Sequence, residues 1–187
     1  MLINVAKDQG WNFGIFSPEN LPLEQHVAKW MEKHMRLPFK DGFKVRMDKE
    51  QMLASQSWLN DHFTFVMPGE KDLTVDGILS LAKVLVKRNG IRGLVIDPWN
   101  EIDHSRPANL SETEYISQSL SKIRKFAREK RVHVWIVAHP VKLTRDKQTG
   151  LYPVPGPYDI SGSAHWRNKA DYCITVWRDL NPDVAEL

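Results

Sequence analysis

The chain has 187 residues, 42% of them hydrophobic and 26% charged, a length and balance that fit one folded domain and exclude a disordered or fibrous chain. A single cysteine, Cys173, excludes an internal disulfide and any four-cysteine zinc site. No apolar run approaches the roughly 20 residues that span a bilayer, and the opening MLINVAKDQG lacks the basic flank and apolar stretch of a signal peptide. These features predict a cytoplasmic protein with no membrane partner.

In chain order, residues 2–8 read as the tail of a helix stopped by Gly10, and 13–16 as a short apolar strand. Residues 21–35 carry Leu23, Val27, Trp30 and Met31 at helical spacing, with Asn20 and Pro22 at the start. A helix is expected over 50–59, a strand over 63–66, and a helix over 75–89 with Ile78, Leu81, Ala82, Leu85 and Val86 inward and Gly90 at its stop. The apolar run 93–96 has the pattern of a strand buried on both faces. Ser111 and Glu114 form a capping box, followed by the stripe Ile116, Leu120, Ile123 and Ala127. Residues 134–138 and 172–177 are expected as further strands, which would place Cys173 in an apolar setting and Trp135 and Trp177 in the core or a subunit contact. Strands alternating with helices predict an α/β fold, a mostly parallel sheet with helices on both faces.

In such sheets ligands sit beyond the carboxyl ends of the strands. There the chain places Ser17-Pro18-Glu19-Asn20 after the first strand, Asp97 after 93–96, His139 after 134–138, and Arg178 and Asp179 after 172–177. An aspartate ending an apolar strand suits a Mg²⁺ held beside a nucleoside triphosphate. A neighbouring glutamate can activate water, and a third polar group can sense the γ-phosphate. Net charge is only +3, but residues 122–147 hold nine basic side chains against two acidic ones, a local +7 that leaves −4 for the rest. Such density attracts polyanions, or is a solvated helix face. The histidines other than His139 form no pair at metal-ligand spacing and are read as surface or core residues.

Residues 93–97, Tyr115-Ile116 and residues 123–127 of the capped helix, Val137-Ala138-His139-Pro140, and the block from Asp159-Ile160-Ser161-Gly162-Ser163-Ala164 through Lys169-Ala170-Asp171 resemble the RecA-like motor domain of replicative helicases. The likeness is to the DnaB, Twinkle and phage primase-helicase group, and it covers nearly the whole chain. It implies a P-loop NTPase core in one domain, residues 1–187, with ATP and Mg²⁺ as cofactors. It implies Asp97 as the Walker B aspartate that holds the metal, Glu19 as the catalytic glutamate at the nucleotide, and His139 as the γ-phosphate sensor. Residues 142–158 match a loop that touches single-stranded DNA, with Lys142, Arg145 and Lys147 as its basic members. Arg167 and Asn168 match a last DNA-facing motif, and Trp166 beside them is either a core residue or an aromatic that stacks on a base. The resemblance further implies a homo-hexamer, a primase domain or partner, and a bacterial or phage source.

The sequence contains no G-x-x-x-x-G-K-[ST] loop, the backbone cradle for phosphates. The chain is therefore expected to be the middle of a motor domain, truncated at the Walker A and arginine-finger ends and inactive alone. Two competing expectations are a RecA-like recombination or repair ATPase, and a non-catalytic module that binds single-stranded DNA.

Overall fold

Phe13, Phe63, Gly93 and His133 lie in neighbouring positions of one parallel sheet. Strand β1 (Phe13–Phe16) pairs with β2 (Phe63–Phe65) on one side and with β3 (Gly93–Ile96) on the other, and β3 pairs with β4 (His133–Ile136). The order is β2-β1-β3-β4, so β1 and β3 are central and every residue of both is buried. The structure, a computed structural model, describes residues 1–177 apart from Lys44, Pro68, residues 70–72, Ser105 and Ser163. It divides into two units, Met1–Ser105 with Lys125–Val137, and Arg106–Arg124 with Ala138–Leu187.

The first unit holds the sheet. Parallel strands need long crossovers: α2 (Leu23–Met35) and α3 (Lys49–His62) lie between β1 and β2 in the chain, and α4 (Val75–Asn89) lies between β2 and β3. Local chemistry sets the helix ends. Helix α1 (Leu2–Gln9) stops at Gly10, and α4 stops at Gly90, at φ of 63° and 60°, a left-handed conformation that costs glycine least. Asp48 caps α3 by accepting from the Gln51 amide at 2.8 Å while the Gln51 side chain accepts from the Asp48 amide at 3.0 Å. Such caps contribute on the order of 1 kcal/mol each. The core under α1, α2 and α3 joins Ile3, Ala6, Phe13, Ile15, Met31, Met47, Leu59, Phe63 and Val95. Phe13 stacks on Phe63 at 5.3 Å and meets Trp135 at 5.7 Å. A Cβ on Gly93 would run into the Phe13 ring, so the approach of β3 to β1 requires a residue without a side chain.

The second unit explains much of the Asp159–Asp171 block. Gly162 takes φ +90°, and a Cβ there would meet Ile116 Cδ1 at 2.5 Å. Its carbonyl accepts from Thr113 Oγ1 at 3.0 Å. Helix α5 (Glu112–Lys130) begins with the expected capping box: the Ser111 amide donates to the Glu114 carboxylate at 2.9 Å, and the Glu114 amide donates to Ser111 Oγ at 3.2 Å. From α6 (His165–Lys169), the Lys169 ammonium donates to the Ser117 carbonyl, Ser117 Oγ and Ser121 Oγ at 2.6, 2.7 and 2.6 Å. Arg124 pairs with Asp171 at 3.3 Å.

Several expectations are corrected. Residues 172–177 form no strand; Tyr172, Ile174 and Val176 are 82%, 72% and 94% exposed, Cys173 is exposed, and Trp177 is half-exposed. Alternating apolar residues suit a strand only where a neighbour pairs with them. Arg178 and Asp179 lie outside the described residues. In α4, Leu79 is buried and Leu81 is exposed. Helix α2 begins two residues later than expected, because Pro22 is extended at its N-cap. Strand β4 runs over 133–136 rather than 134–138.

Candidate functional site

The register that pairs Phe16 with Ile96 brings the chain beyond β1 and the chain beyond β3 side by side. The Asp97 amide donates to the Phe16 carbonyl at 2.9 Å, carrying the ladder one step past the strands. There the half-buried Asp97 carboxylate meets the buried Ser17. Ser17 Oγ donates to Asp97 Oδ2 at 3.2 Å, and the Asn20 amide nitrogen donates to Ser17 Oγ at 2.7 Å and to the same Oδ2 at 3.4 Å. Two donors on one oxygen fix the carboxylate's orientation and leave its other oxygen for a further partner.

Glu19 sits in the turn between Ser17 and Asn20, with its side chain exposed. The Asn20 amide donates to the Ser17 carbonyl at 3.2 Å, closing that turn. Glu19 and Asp97 thus leave adjacent strands at the same edge of the sheet, as the sequence led us to expect. His139 lies three residues past β4 and is exposed. Reading the residues one by one missed Ser17 and Asn20 as partners of Asp97. The available signal was the polar run 17–20 directly after an apolar strand.

A hard divalent cation such as Mg²⁺ takes one or two carboxylates and completes its shell with water and phosphate oxygens. Asp97, with one oriented carboxylate at a strand end, suits that donor set. Among the described residues, no group of three or more His, Cys, Asp or Glu is placed to hold a metal by itself.

The loop over residues 142–158 is organised around Asp146. Its Oδ1 accepts from the Gln148 and Thr149 amides at 2.9 and 2.7 Å and from Thr149 Oγ1 at 3.0 Å. Those bonds hold the Asp146 pKa below the ordinary carboxylate value, led by the Thr149 amide. The Asp146 amide donates to the Leu151 carbonyl at 2.9 Å, and Gly150 turns the chain at φ 70°. At the base, Pro140 bridges Ile160 in antiparallel fashion. Lys142, Arg145 and Lys147 are all exposed, and the Arg145 guanidinium lies 5.0 Å from the centre of the Tyr152 ring. Arg167 and Asn168 are exposed on α6. Trp166 is buried and donates its indole N–H to the Ser161 carbonyl at 3.1 Å, so it is a core residue rather than a base-stacking one.

No family model matches the chain. Over its full length the chain is 43% identical, across 192 aligned residues, to the Twinkle homolog protein, chloroplastic/mitochondrial, of Arabidopsis thaliana. It spans about a quarter (26%) of that relative's length. Among solved structures, a DnaB-like replicative helicase, determined together with its interactions with primase, superposes with a TM-score of 0.63 at 17% identity. That superposition covers 88% of this chain and 40% of the helicase chain, and it shows a shared fold. The identity along the whole chain and the shared fold together support a DnaB/Twinkle-type helicase motor domain.

Proposed function

We propose that the chain is part of a primase-helicase type replicative helicase, which couples ATP hydrolysis to movement on single-stranded DNA and to duplex unwinding. The observation that carries this reading is the Ser17–Asn20–Asp97 cluster beyond the central strands, with Glu19 in the turn beside it. Asp97 would hold Mg²⁺, which supplies charge neutralisation for the phosphates. Glu19 takes the proton of the attacking water, and His139 senses the γ-phosphate. Lys142, Arg145, Lys147, Arg167 and Asn168 contact the single strand, mainly through its phosphates.

The full-length protein is proposed to act as a hexamer, with ATP between subunits and a primase domain or partner nearby. No G-x-x-x-x-G-K-[ST] loop occurs in these 187 residues, so this chain alone should turn over ATP poorly. No helix among the described residues is long and apolar enough to cross a membrane. The setting is DNA-associated, and the relative's organellar name argues against the bacterial or phage source expected from the sequence.

The test is ATP hydrolysis by the full-length protein with and without single-stranded DNA, together with strand displacement from a forked duplex. DNA-stimulated hydrolysis with displacement is expected. Hydrolysis without displacement would favour a recombination or repair ATPase, and DNA binding with neither activity a non-catalytic module.

A further inference from the structure

The amino edge of the sheet, at the other end of the strands from Asp97, gathers guanidinium groups. The Arg92 amide donates to the Asn12 carbonyl at 2.8 Å and the His133 amide to the Arg92 carbonyl at 2.9 Å, so the starts of β1, β3 and β4 lie side by side. The Arg131 amide returns to the Arg128 carbonyl at 3.4 Å, and Asn12 Nδ2 donates to the Asn89 carbonyl at 2.9 Å. Those bonds bring the last turns of α5 and α4 to the same edge. Arg88, Arg92, Arg128 and Arg131 are thereby strung along it, all exposed, and among the described residues none of the four pairs with a carboxylate. In residues 87–93 and 125–133 the one acidic side chain is Glu129, which lies 3.8 Å from Lys125.

A helix C-terminus favours a cation, which accounts for Arg88 and Arg128. It does not account for Arg92, in the turn between α4 and β3, or for Arg131. Helices α1 and α4 stop at glycines, whereas α5 turns at Arg131 with φ 54°, so the position carries an arginine against the preference of its backbone. Unpaired guanidiniums in a row match phosphate groups, whose oxygens accept from them in pairs. The indoles at this edge, Trp11 and Trp135, are half-buried and already covered, Trp11 by the Arg92 guanidinium at 4.9 Å and Trp135 by the His133 ring at 4.1 Å. The edge thus offers charge without a free indole face for an unstacked base, which suits a duplex rather than a single strand.

We propose that this edge is a docking surface for the phosphate backbone of duplex DNA, carried by residues other than those proposed to contact the single strand. The choice of DNA as the polyanion rests on the helicase reading; the charge pattern itself does not.

The test compares the full-length protein with its Arg131→Gly and Arg92→Gln/Arg131→Gly variants. Fluorescence anisotropy over a range of salt concentrations gives the affinity for a blunt duplex and for a single-stranded oligonucleotide, with thermal melting alongside. On the duplex, the slope of log affinity against log salt should shrink by roughly 0.9 for each lost phosphate contact, about 1.8 in the double variant. On the oligonucleotide the slope should stay at its wild-type value. Arg131→Gly alone should hold or raise the melting temperature, since glycine suits the left-handed turn, and should still weaken duplex binding. An arginine kept only for stability would give the reverse pair of results. An unchanged duplex slope, or a loss that comes only with a lower melting temperature, overturns the surface. An equal loss on duplex and oligonucleotide assigns these arginines to the single-strand path and overturns it as well. Failure of the helicase reading shows separately, as wild-type ATP hydrolysis that single-stranded DNA does not stimulate.

Discussion

Ser17 Oγ and Asp97 Oδ2 are 3.2 Å apart although 80 residues separate them in the chain. The link between them is the sheet register, Phe16 beside Ile96, which delivers both side chains to one edge. Asn20 completes the arrangement through bonds to both. Replacing Ser17 and Asn20 together with alanine should therefore free the Asp97 carboxylate with little loss of fold. In the full-length protein, kcat should fall about tenfold, a typical effect of removing partners that orient a metal ligand. Stability should change by no more than about 1 kcal/mol per lost hydrogen bond. Steady-state hydrolysis and urea unfolding measure the two. Unchanged kcat would show that Asp97 needs no such orientation.

Gly93 is the tightest packing point of the sheet. Gly93→Ala drives a methyl group into the Phe13 ring and to 2.9 Å from Trp135 Cζ3. Neither aromatic can swing away, because Phe13 also stacks on Phe63 and Trp135 packs on both Phe13 and Trp11. A cost of about 1–3 kcal/mol is expected, as for other overpacked cores. Urea unfolding checks it, and a loss below about 0.5 kcal/mol would mean that the strands separate easily at this point.

His34 joins α2 to α3. It stacks on Trp58 at 4.1 Å with the ring planes 5° apart, and its Nδ1 lies 2.8 Å from Oγ of the fully buried Ser55. Burial first, then Lys7 and His62, hold its pKa below the ordinary 6.5. The unfolded chain thus takes up a proton at a pH where the folded chain still resists it. Stability should be full above about pH 6.5 and fall as pH drops from there through the lower folded value. His26, depressed chiefly by burial, acts in the same direction. Urea midpoints at about pH 7.5 and 5.5 test this, and His34→Gln should flatten the difference. A midpoint independent of pH in this range would contradict the assignment.

The loop over residues 142–158 makes a salt-dependent prediction. If Lys142, Arg145 and Lys147 each meet a phosphate, each alanine substitution should reduce the slope of log affinity against log salt by about 0.7 for a single strand. Fluorescence anisotropy with an oligonucleotide of mixed sequence at several salt concentrations measures the slope. Three single variants with wild-type slopes would remove this loop from the DNA interface. Lys122, on the outer face of α5, belongs to the same basic window and should have a smaller effect if that window is a solvated face.

The central strands were legible because burial on both faces leaves an unbroken apolar run, as at 93–96, and because Gly10 and Gly90 mark helix ends with a backbone only glycine adopts freely. Asp97 was legible as a candidate for the same reason: a lone carboxylate closing an apolar run stands out. Its partners were not. That Ser17 and Asn20 reach Asp97 depends on register between strands far apart in the chain, which residue spacing alone does not encode. Residues 172–177 show the reverse failure, since their alternation is that of a strand but strand formation needs a neighbour to pair with. Trp166 beside Arg167 left stacking on a base open as the less favoured reading, and its burial and its bond to the Ser161 carbonyl decide for the core.

The most direct test of the site is Glu19→Gln in the full-length protein, which keeps the size of the side chain and removes its ability to take a proton. General-base catalysis contributes at least about a hundredfold. DNA-stimulated ATP hydrolysis should therefore fall by that factor or more, while equilibrium binding of ATP and of single-stranded DNA stays near wild type. Retained DNA-stimulated hydrolysis in Glu19→Gln would contradict the account at its centre and move the water-activating role away from the turn after β1.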